Sequence, residues 1–373
     1  MIAPLLGSQP PLSTTIADWV AALAGIEASW PLHAVAMLVV ATAGVLLIIT
    51  PIGLAGVYIE RKFAGRMQNR SGPNRVGPWG LLQPIADGIK LLCQEDIVRE
   101  GSDAPIFRMA PYVVFLSAFA GFVVIPFGPG IWGADLDVGL IFFLSMIGLE
   151  TVGIVMAGWS SNNKWSLLGA MREVAQVVSY ELPLGLTAMA PVIAAGSLSL
   201  VAITDAQQGW IWNWYIIKNG YWAIVMVPCF LVWCISALAA AKRAPFDLPE
   251  AESELTAGFH TEYSGMRFGM FFLPEYAVMM SLSMVGSVLF LGGYHDPFGM
   301  SATGGSMHGV WWWGLLWFSG KAVFQWLLII ILRWTLPRLR IDQVMYLCYK
   351  VLLPIAMACV VGTALLKLIG GGS

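Results

Sequence analysis

The chain has 373 residues, of which 58% are hydrophobic and 11% are charged, with a formal net charge of -2 and a mean hydropathy of +0.75. A water-soluble globular domain carries about 25% charged residues. The composition therefore excludes an ordinary soluble enzyme and predicts a chain that lies mostly within a lipid bilayer. The small net charge gives no indication of a nucleic-acid partner.

Neither the cysteines nor the histidines have the spacing of a metal or cofactor site. The five cysteines contain no CxxC pair, and the four histidines are scattered along the chain. Cys229 and Cys234 lie in an apolar run, where thiols usually behave as small apolar groups. No GxGxxG or Walker sequence is present. The chain is therefore predicted to bind no metal, flavin, haem or iron–sulfur cluster of its own.

Apolar runs of bilayer length recur along the chain. About 20 residues of α-helix cross a hydrocarbon layer of about 30 Å. Residues 1–32 predict an N-terminal extension, with an interfacial helix over residues 11–30. Residues 33–369 predict a single all-α transmembrane domain with about eight spans, placed near 33–58, 110–127, 138–158, 174–195, 221–241, 271–292, 310–332 and 347–369.

The basic residues are distributed unequally between the two sides of these spans. Of 20 Lys and Arg, 17 follow the first, third, fifth and seventh spans, whereas Lys218 and Lys367 lie on the other side and Lys321 lies within a span. Loops rich in Lys and Arg stay on the cytoplasmic face. We therefore expect both termini on the outer side and two long cytoplasmic loops, 59–109 and 242–270.

The first long loop combines charges, turn formers and a helical pattern in the segment YIERKFAGRMQNRSGPNRVGPWGLLQPIADGIKLL, residues 58–92. Two Gly-Pro pairs predict rigid turns. The apolar residues that follow them recur at helical spacing and predict an interfacial amphipathic helix: Leu81, Leu82, Ile85, Ile89 and Leu92. Membrane orientation explains the basic residues. It does not explain the acidic Glu60 beside Arg61, or the further acid Asp87.

Carboxylates occur inside the predicted spans, where they are energetically costly and usually functional. Glu150 lies in LSMIGLETVGIVMAG, and Glu181 lies in REVAQVVSYELPLG. In the second segment Glu173, Gln176 and Tyr180 share one helical face, with Glu181 beside it. Either these groups hydrogen-bond to neighbouring helices, or they form a polar stripe that carries protons, because a buried carboxyl group can exchange a proton near neutral pH.

The second long loop, KRAPFDLPEAESELTAGFHTEYSGMRFG, is rich in acids: Asp247, Glu250, Glu252, Glu254 and Glu262. Pro249 is expected to open a helix, with Glu250 and Glu252 in its first turn. The cluster is interpreted either as a solvated helix-capping face or as a funnel or docking surface. It is expected on the same side of the membrane as residues 58–92.

The chain resembles one family of membrane proteins in four segments: ERKFAGRMQNRSGPNRVGPWGLLQPIADGIKLL, REVAQVVSYELPLG, RAPFDLPEAESELTAGFHTEYSGMRFG and LRWTLPRLRIDQVM. They are similar to segments of the H subunit of bacterial NADH:quinone oxidoreductase. This is the family of mitochondrial NADH dehydrogenase subunit 1, in respiratory complex I. The resemblance covers roughly residues 35–365.

The resemblance implies a role for each charged patch. It implies a quinone tunnel near Glu60, Arg61, Asp87, Phe246, Asp247 and Arg333. It implies a proton path that includes Glu150, Glu173, Tyr180, Glu181, Asp247, Glu250, Glu252, Glu254 and Glu262. Arg333 belongs to a basic segment after the seventh span, together with Arg338 and Arg340. No residue of the chain is expected to be catalytic in itself or to ligate a metal.

The resemblance also implies an assembly and a location. The chain would be a membrane component of a proton-pumping oxidoreductase in the bacterial inner membrane. It would form the quinone tunnel at the junction with the hydrophilic arm and couple quinone reduction to proton translocation. Quinone would be the substrate, with flavin and iron–sulfur clusters in partner subunits. Expected partners are the hydrophilic quinone-site and iron–sulfur subunits, other membrane-arm subunits and the lipid bilayer.

Three other interpretations are consistent with the same residues. One is the corresponding subunit of a membrane-bound hydrogenase-type complex, which neighbouring subunits would distinguish. Another is a free-standing proton-coupled transporter, which also needs buried charges and interrupted helices. The halves of the chain show no convincing repeat, which argues weakly against a transporter. The third is a structural anchor without a proton role.

Overall fold

The computed structural model describes residues 50–369 apart from 219, 251, 302–304, 306 and 308, and describes only the backbone of 50–52, 252 and 253. The predicted N-terminal extension, 1–32, and residues 33–49 of the first predicted span lie outside the described residues. The described part folds into helices and turns and forms no β-strand. The prediction of an all-α, polytopic membrane protein is confirmed.

Twelve α-helices are described, numbered here in chain order: α1 (Thr50–Met67), α2 (Gln83–Cys93), α3 (Ala104–Ala120), α4 (Gly139–Ser160), α5 (Lys164–Ala195), α6 (Leu200–Asp205), α7 (Ala223–Ala240), α8 (Glu252–Leu255), α9 (Gly265–Phe290), α10 (Trp311–Thr335), α11 (Ile341–Tyr346) and α12 (Leu353–Ile369). A π-helical turn, Leu347–Leu352, joins α11 to α12.

Seven helical segments are long and apolar enough to cross a membrane: Ala104–Val124, Gly139–Ser160, Lys164–Ala195, Ala223–Ala240, Gly265–Phe290, Trp311–Thr335 and Ile341–Ile369. They correspond in order to the second to eighth predicted spans. Helix α1 overlaps the end of the first predicted span and continues to Met67. The first span therefore continues as a helix into the charged segment 59–109, beyond its predicted end near residue 58.

Several spans begin earlier than hydropathy alone predicts, and α5 shows why. It starts at Lys164 rather than near residue 174, because the Asn163 side chain accepts a hydrogen bond from Trp165 N and caps the helix. Its 32 residues extend over about 48 Å, which exceeds a hydrocarbon layer of about 30 Å. A helix satisfies its own backbone hydrogen bonds, so it can continue beyond the apolar run.

Helix α9 lies at the centre of the described fold. It is the most buried of the seven spans and packs against α1, α3, α7 and α10. Helix α5 packs against α4, α7 and α12. Because α9 is enclosed by other helices, the polar residues near its start face protein rather than lipid.

The amphipathic helix predicted after the Gly-Pro turns is present as α2. It lies against α1 and α9. Its apolar side chains remain exposed at Ile85, Ile89 and Leu92. Trp79, just before the helix, is 83% exposed. Such an uncovered apolar face is typical of a helix that lies along a membrane surface.

Candidate functional site

A lysine forms the centre of a buried cluster between α4, α5 and α7. Lys242 Nζ donates a 2.6 Å hydrogen bond to Glu150 Oε1 and lies 3.5 Å from Glu173 Oε1. The three side chains are 4%, 4% and 0% exposed. Burial disfavours the charge of Lys242, but the two carboxylates outweigh it and raise the Lys242 pKa above its ordinary value. The ammonium therefore links two spans that carry predicted proton-path residues.

The backbone at the end of α7 positions this lysine. Lys242 has a φ of 52°, a left-handed conformation that is disfavoured for residues with a side chain. Gln176 Nε2 donates a 2.9 Å hydrogen bond to Ala239 O, which also accepts a 3.1 Å hydrogen bond from Lys242 N at the end of the helix. Helix α5 thus supports the turn that directs Lys242 towards Glu150 and Glu173.

A second buried group joins α1, α9 and α10. The Tyr276 hydroxyl donates a 2.6 Å hydrogen bond to Glu60 Oε2, and Arg333 forms an ion pair with Glu60. Arg243 Nη2 lies 3.1 Å from Glu275 Oε2, and its guanidinium lies 4.6 Å from the centre of the Tyr276 ring. Glu60, the first predicted tunnel residue, is therefore tied to α9 through Tyr276.

Glu275 connects the two groups, because it interacts electrostatically with Lys242, Arg243 and Glu250. We call the combined set the buried charge network: Glu60, Glu150, Glu173, Lys242, Arg243, Glu275, Tyr276 and Arg333. It contains four carboxyl groups and three basic side chains. The acidic groups therefore exceed the basic ones by one.

Several buried polar atoms around this network have no hydrogen-bond partner among the described residues. They include both carboxylate oxygens of Glu173, Gln176 Oε1, Ser236 Oγ and Arg243 Nε. A buried polar group left without a partner costs about 1–3 kcal/mol. Ordered water usually satisfies such groups in native proteins. The carboxylate oxygens of Glu173 are therefore suited to bind ordered water.

Asp247 and Phe246 fix the segment that follows Arg243. Asp247 accepts a 3.0 Å hydrogen bond from Arg338 Nη2, and Leu339 N donates to Pro245 O at 3.0 Å. Burial raises the Asp247 pKa, and Arg338 partly opposes that effect. Phe246 is 2% exposed and belongs to the main core. These predicted tunnel residues thus attach the segment to the chain beyond α10.

Arg61 and Asp87 form a separate pair at the surface. They join α1 to α2 by an ion pair, and their side chains are 45% and 33% exposed. Gln83 Nε2 also donates a 3.0 Å hydrogen bond to Asp87 Oδ1. Glu60 points into the buried charge network, although it is the neighbour of Arg61 in the chain. The predicted tunnel residues therefore occupy both a buried and an exposed position.

The predicted polar face of α5 is present, but Glu181 does not lie within it. Glu173, Gln176 and Tyr180 are buried, at 0%, 0% and 1% exposure. Glu181 is exposed, and its Oε1 lies 3.4 Å from the position that a Cβ on Gly148 would take. Glu181 follows Tyr180 directly, so its side chain leaves the helix in a different direction and lies beside α4 at the surface. It is therefore at the edge of the buried cluster and not within it.

The acids of the second long loop do not form one cluster, in contrast to what their spacing in the sequence suggests. Pro249 does not open a helix, because Pro249 and Glu250 lie in a bend and α8, as described, begins at Glu252. Glu250 is half-buried, and it approaches Glu275. Glu252 lies in the first turn of α8, as expected, but Glu250 lies before the helix. The side chain of Glu252 lies outside the described residues.

The two remaining acids of this loop form ion pairs away from the buried charge network. Glu254 accepts a 2.6 Å hydrogen bond from Arg172, which lowers the Glu254 pKa. Glu262 accepts hydrogen bonds from Asn163 at 2.6 Å and from Arg99 at 3.2 Å. Both contacts attach the loop to neighbouring segments. They match the solvated-face interpretation better than a continuous acidic funnel.

Sequence reasoning assigned no site role to four residues of the network: Lys242, Arg243, Glu275 and Tyr276. The two basic residues were interpreted only as markers of membrane orientation. Glu275 and Tyr276 lie inside an apolar run, and a charged residue in such a run is itself a functional signal. The pairing of Lys242 with two distant spans had no local signal, because it depends on how α4, α5 and α7 pack.

A cavity of about 330 Å³ lies between α7, α9 and α10. Its lining is apolar except for Ser283 and Gln325. Gln325 Nε2 donates a 2.8 Å hydrogen bond to Ser287 Oγ. Apolar cavities usually exclude ordered water. The cavity is therefore suited to hydrocarbon rather than to a chain of proton-carrying waters.

Metal-binding side chains do not converge within the described part of the chain. No group of three or more His, Cys, Asp or Glu residues there could hold a metal ion. All five cysteines, which lie at or after Cys93, are free thiols. The chemistry that the site offers is therefore that of carboxyl, ammonium, guanidinium and phenol groups.

Comparison with known proteins places the chain in a family. A family model described as NADH dehydrogenase matches residues 38–364. A protein of Chlorobaculum parvum, named as the H subunit of NADH-quinone oxidoreductase, is 45% identical over 371 residues, covering 96% of this chain and 99% of that protein. A protein of the same name from Anaeromyxobacter dehalogenans is 43% identical, covering 84% of this chain and 78% of that protein. The chain belongs to the NADH dehydrogenase family.

Proposed function

We propose that this chain is the H subunit of an NADH:quinone oxidoreductase in a bacterial inner membrane. In this role it forms the quinone path at the junction with the hydrophilic arm and couples quinone reduction to proton translocation. The chain is similar to proteins that carry the name of that subunit, and the similarity extends over nearly their whole length. Flavin, iron–sulfur clusters and the remaining pumping machinery belong to partner subunits, and the chain itself supplies protein groups only.

The observation that carries the coupling role is the excess of acid in the buried charge network. Four buried or nearly buried carboxyl groups face three basic side chains. An uncompensated buried charge is strongly unfavourable, so the network favours holding a proton. A charge that appears nearby shifts where that proton resides. The network therefore responds to a change of charge at either end.

Quinone reduction supplies such a change, because the reduced headgroup takes up protons after it takes up electrons. The end of the network at Glu60, Tyr276 and Arg333 lies beside the amphipathic helix α2 and α1. The other end lies at Glu150 and Glu173, between α4 and α5. A displaced proton or ion pair can thus transmit an effect over several spans. Moving one charge across 100 mV requires about 2.3 kcal/mol. A series of acidic groups divides this cost into smaller steps.

The quinone path is proposed between α1, α9 and α2. The exposed apolar side chains of α2 suit an isoprenoid tail that arrives from the bilayer. The Arg61–Asp87 pair closes the polar edge of α2, and Glu60 lies just inside. Both chain termini are proposed on the outer side, so that the buried charge network lies towards the cytoplasm, where the electron-delivering subunits attach.

Paired substitutions in the assembled complex test this function. Glu275→Gln and Glu150→Gln remove acidic groups from the network with little change in size. Both are expected to reduce quinone-dependent NADH oxidation and proton pumping in membranes. NADH oxidation by a soluble acceptor that bypasses the quinone should persist and shows that the complex has assembled. Asp96→Asn is the matched control, because its carboxylate is paired with Arg267 at the surface and belongs to neither the network nor the implied proton path.

Full quinone reduction and full pumping in both network variants would reject the coupling role. Pumping without any bound NADH-oxidising subunits would instead favour a free-standing transporter. Co-purification with subunits that oxidise hydrogen would favour the hydrogenase-type complex. Each rival therefore predicts a different result with the same membranes.

A further inference from the structure

Lys321 has a polar cage inside the α10 span, away from the buried charge network. Its ammonium donates hydrogen bonds to three backbone carbonyls: Leu291 O at 2.6 Å, Gly293 O at 3.0 Å and His295 O at 2.6 Å. An ammonium group has three N–H donors, so all of them are used. The contacts join the interior of α10 to the segment that follows α9.

An aromatic ring completes the cage. Lys321 Nζ lies 3.9 Å from the centre of the Trp214 ring. The face of an indole ring attracts a cation, especially where water is excluded. Three carbonyl oxygens and a ring face thus surround the Lys321 nitrogen. These contacts oppose the cost of burying its positive charge.

The end of α9 is shaped to present these carbonyls. The helix ends at Phe290, and Gly292 and Gly293 follow with φ values of 72° and 50°. Glycine adopts this left-handed region readily. A Cβ on Gly292 would lie 2.4 Å from Trp214 Nε1, so the ring can approach only because this residue has no side chain. The carbonyl end of a helix also carries partial negative charge, which favours a cation.

A buried glutamine holds the same turn from the opposite direction. Gln207 Oε1 accepts hydrogen bonds from Gly292 N at 3.1 Å and from Tyr215 N at 3.2 Å. Its Nε2 donates to Val288 O at 2.8 Å. Gln207 thus fastens both the turn and the Trp214 segment to the end of α6. The cage is therefore assembled from four separate parts of the chain.

We propose that Lys321 is a positioning residue whose ammonium serves as a built-in cation and locks the end of α9 to α10. The first half of the same helix carries Glu275 and Tyr276, about 22 Å away from its end along the axis, and α10 carries Arg333. Fixing α9 against α10 at one end keeps Tyr276, Glu60 and Arg333 in register at the other. The effect on turnover rests on the proposed function, whereas the cage itself does not.

Chemical rescue tests the proposal in the intact complex. Lys321→Ala removes the side chain beyond Cβ, and propylammonium reproduces the missing atoms from Cγ to Nζ. Two added compounds serve as controls: 1-propanol has the same length without charge, and tetramethylammonium has the charge without an N–H donor. Lys367→Ala is the matched lysine variant, because Lys367 Nζ donates to a single carbonyl, Ile193 O.

Hydrogen exchange of residues 291–296 is the first readout. Lys321→Ala should lower their protection about tenfold or more, because three hydrogen bonds from the ammonium to this segment are lost. Propylammonium should restore most of that protection, and the two control compounds should not. Quinone-dependent NADH oxidation is the second readout and should fall and recover in parallel. Lys367→Ala should leave both readouts close to those of the unmodified protein.

Unchanged protection in Lys321→Ala, or equal rescue by tetramethylammonium or propanol, would overturn the cage. Restored protection without any change in NADH oxidation would overturn the positioning role. Lys321→Met keeps the apolar stem and serves if the alanine variant assembles poorly. If neither variant assembles even when propylammonium or ammonium is present, the rescue has failed and the proposal is rejected. Hydrogen exchange can be measured without quinone turnover. A failure of the proposed function would therefore leave the exchange result unaffected and can be distinguished from a failure of the cage.

Discussion

Lys242 and Glu150 form an ion pair in the protein interior, with 2.6 Å between Nζ and Oε1 and 4% exposure of each side chain. Glu173 Oε1 lies 3.5 Å from the same ammonium. A buried ion pair adds little stability compared with apolar groups, but the loss of one partner is strongly destabilising. This arrangement makes Lys242 the residue on which the two carboxylates depend.

Lys242→Met should therefore reduce assembly of the complex sharply. It leaves Glu150 and Glu173 without their counter-ion, at a cost of about 3–5 kcal/mol. Assembly can be followed by the amount of the chain in membranes and by the midpoint of thermal inactivation. Arg172→Met is the control, because its ion pair with Glu254 is exposed and contributes below about 1 kcal/mol. Equal losses in both variants would contradict a special role for Lys242.

Tyr276→Phe should weaken the contact between α9 and α1 while leaving Glu60 paired with Arg333. It removes one hydroxyl that donates to a carboxylate, a bond worth about 1.5–3 kcal/mol. We expect slower quinone reduction and weaker pumping in an assembled complex, measured against NADH oxidation by a soluble acceptor. Tyr263→Phe removes a hydroxyl bonded to the neutral Phe107 O and serves as the control. The assignment would be wrong if only the control variant lost quinone reduction.

The sequence predicted the helical class, the order of the spans and many of the charged residues, because these depend on local patterns. Hydropathy locates apolar helices, and an acid such as Glu150 within one is conspicuous. Partners could not be predicted in the same way. Lys242 meets Glu150 across 92 positions in the chain, and Tyr276 meets Glu60 across 216. Such contacts are set by helix packing, for which one sequence carries no periodic signal.

The acidic loop shows the other reason for errors. Pro249 is compatible with the first turn of a helix, but it does not require one. Here a Cβ added to Gly258 would lie only 1.8 Å from Pro249 O. The segment that contains Pro249 is thus packed directly against the backbone of Gly258. Tertiary contact has overridden a local preference.

His260 should make the loop at residues 256–264 sensitive to mild acid. Burial beside Phe259 and Phe268 lowers the His260 pKa, and Glu275 partly opposes this effect. An unfolded loop keeps an ordinary pKa near about 6.5. As the pH falls below that value, the unfolded state binds a proton first, so the folded loop loses stability; at higher pH His260 contributes no pH dependence.

Hydrogen exchange of residues 256–264, compared between the unmodified protein and His260→Phe at each pH, measures this effect. Protection in the unmodified protein should fall relative to the variant between about pH 7 and pH 5.5. The ring of phenylalanine preserves the stacking, whose centroid distance to Phe268 is 5.2 Å. Parallel pH profiles of the two proteins would show that protonation of His260 does not matter.

Gly286→Ala should destabilise the contact of α9 with α7 and α10. An added Cβ would lie 2.6 Å from both Gln325 Oε1 and Trp233 Nε1, inside normal contact distance. Overpacking of this kind costs about 1–3 kcal/mol, which outweighs the gain of up to about 1 kcal/mol from replacing glycine in a helix. Gly185→Ala in α5 is the matched control, because among the described residues no atom beyond its own stretch of helix lies within 4 Å of the added Cβ. The midpoint of thermal inactivation should fall for Gly286→Ala and stay level or rise for Gly185→Ala, and the reverse order would show that the two side chains can move aside without cost.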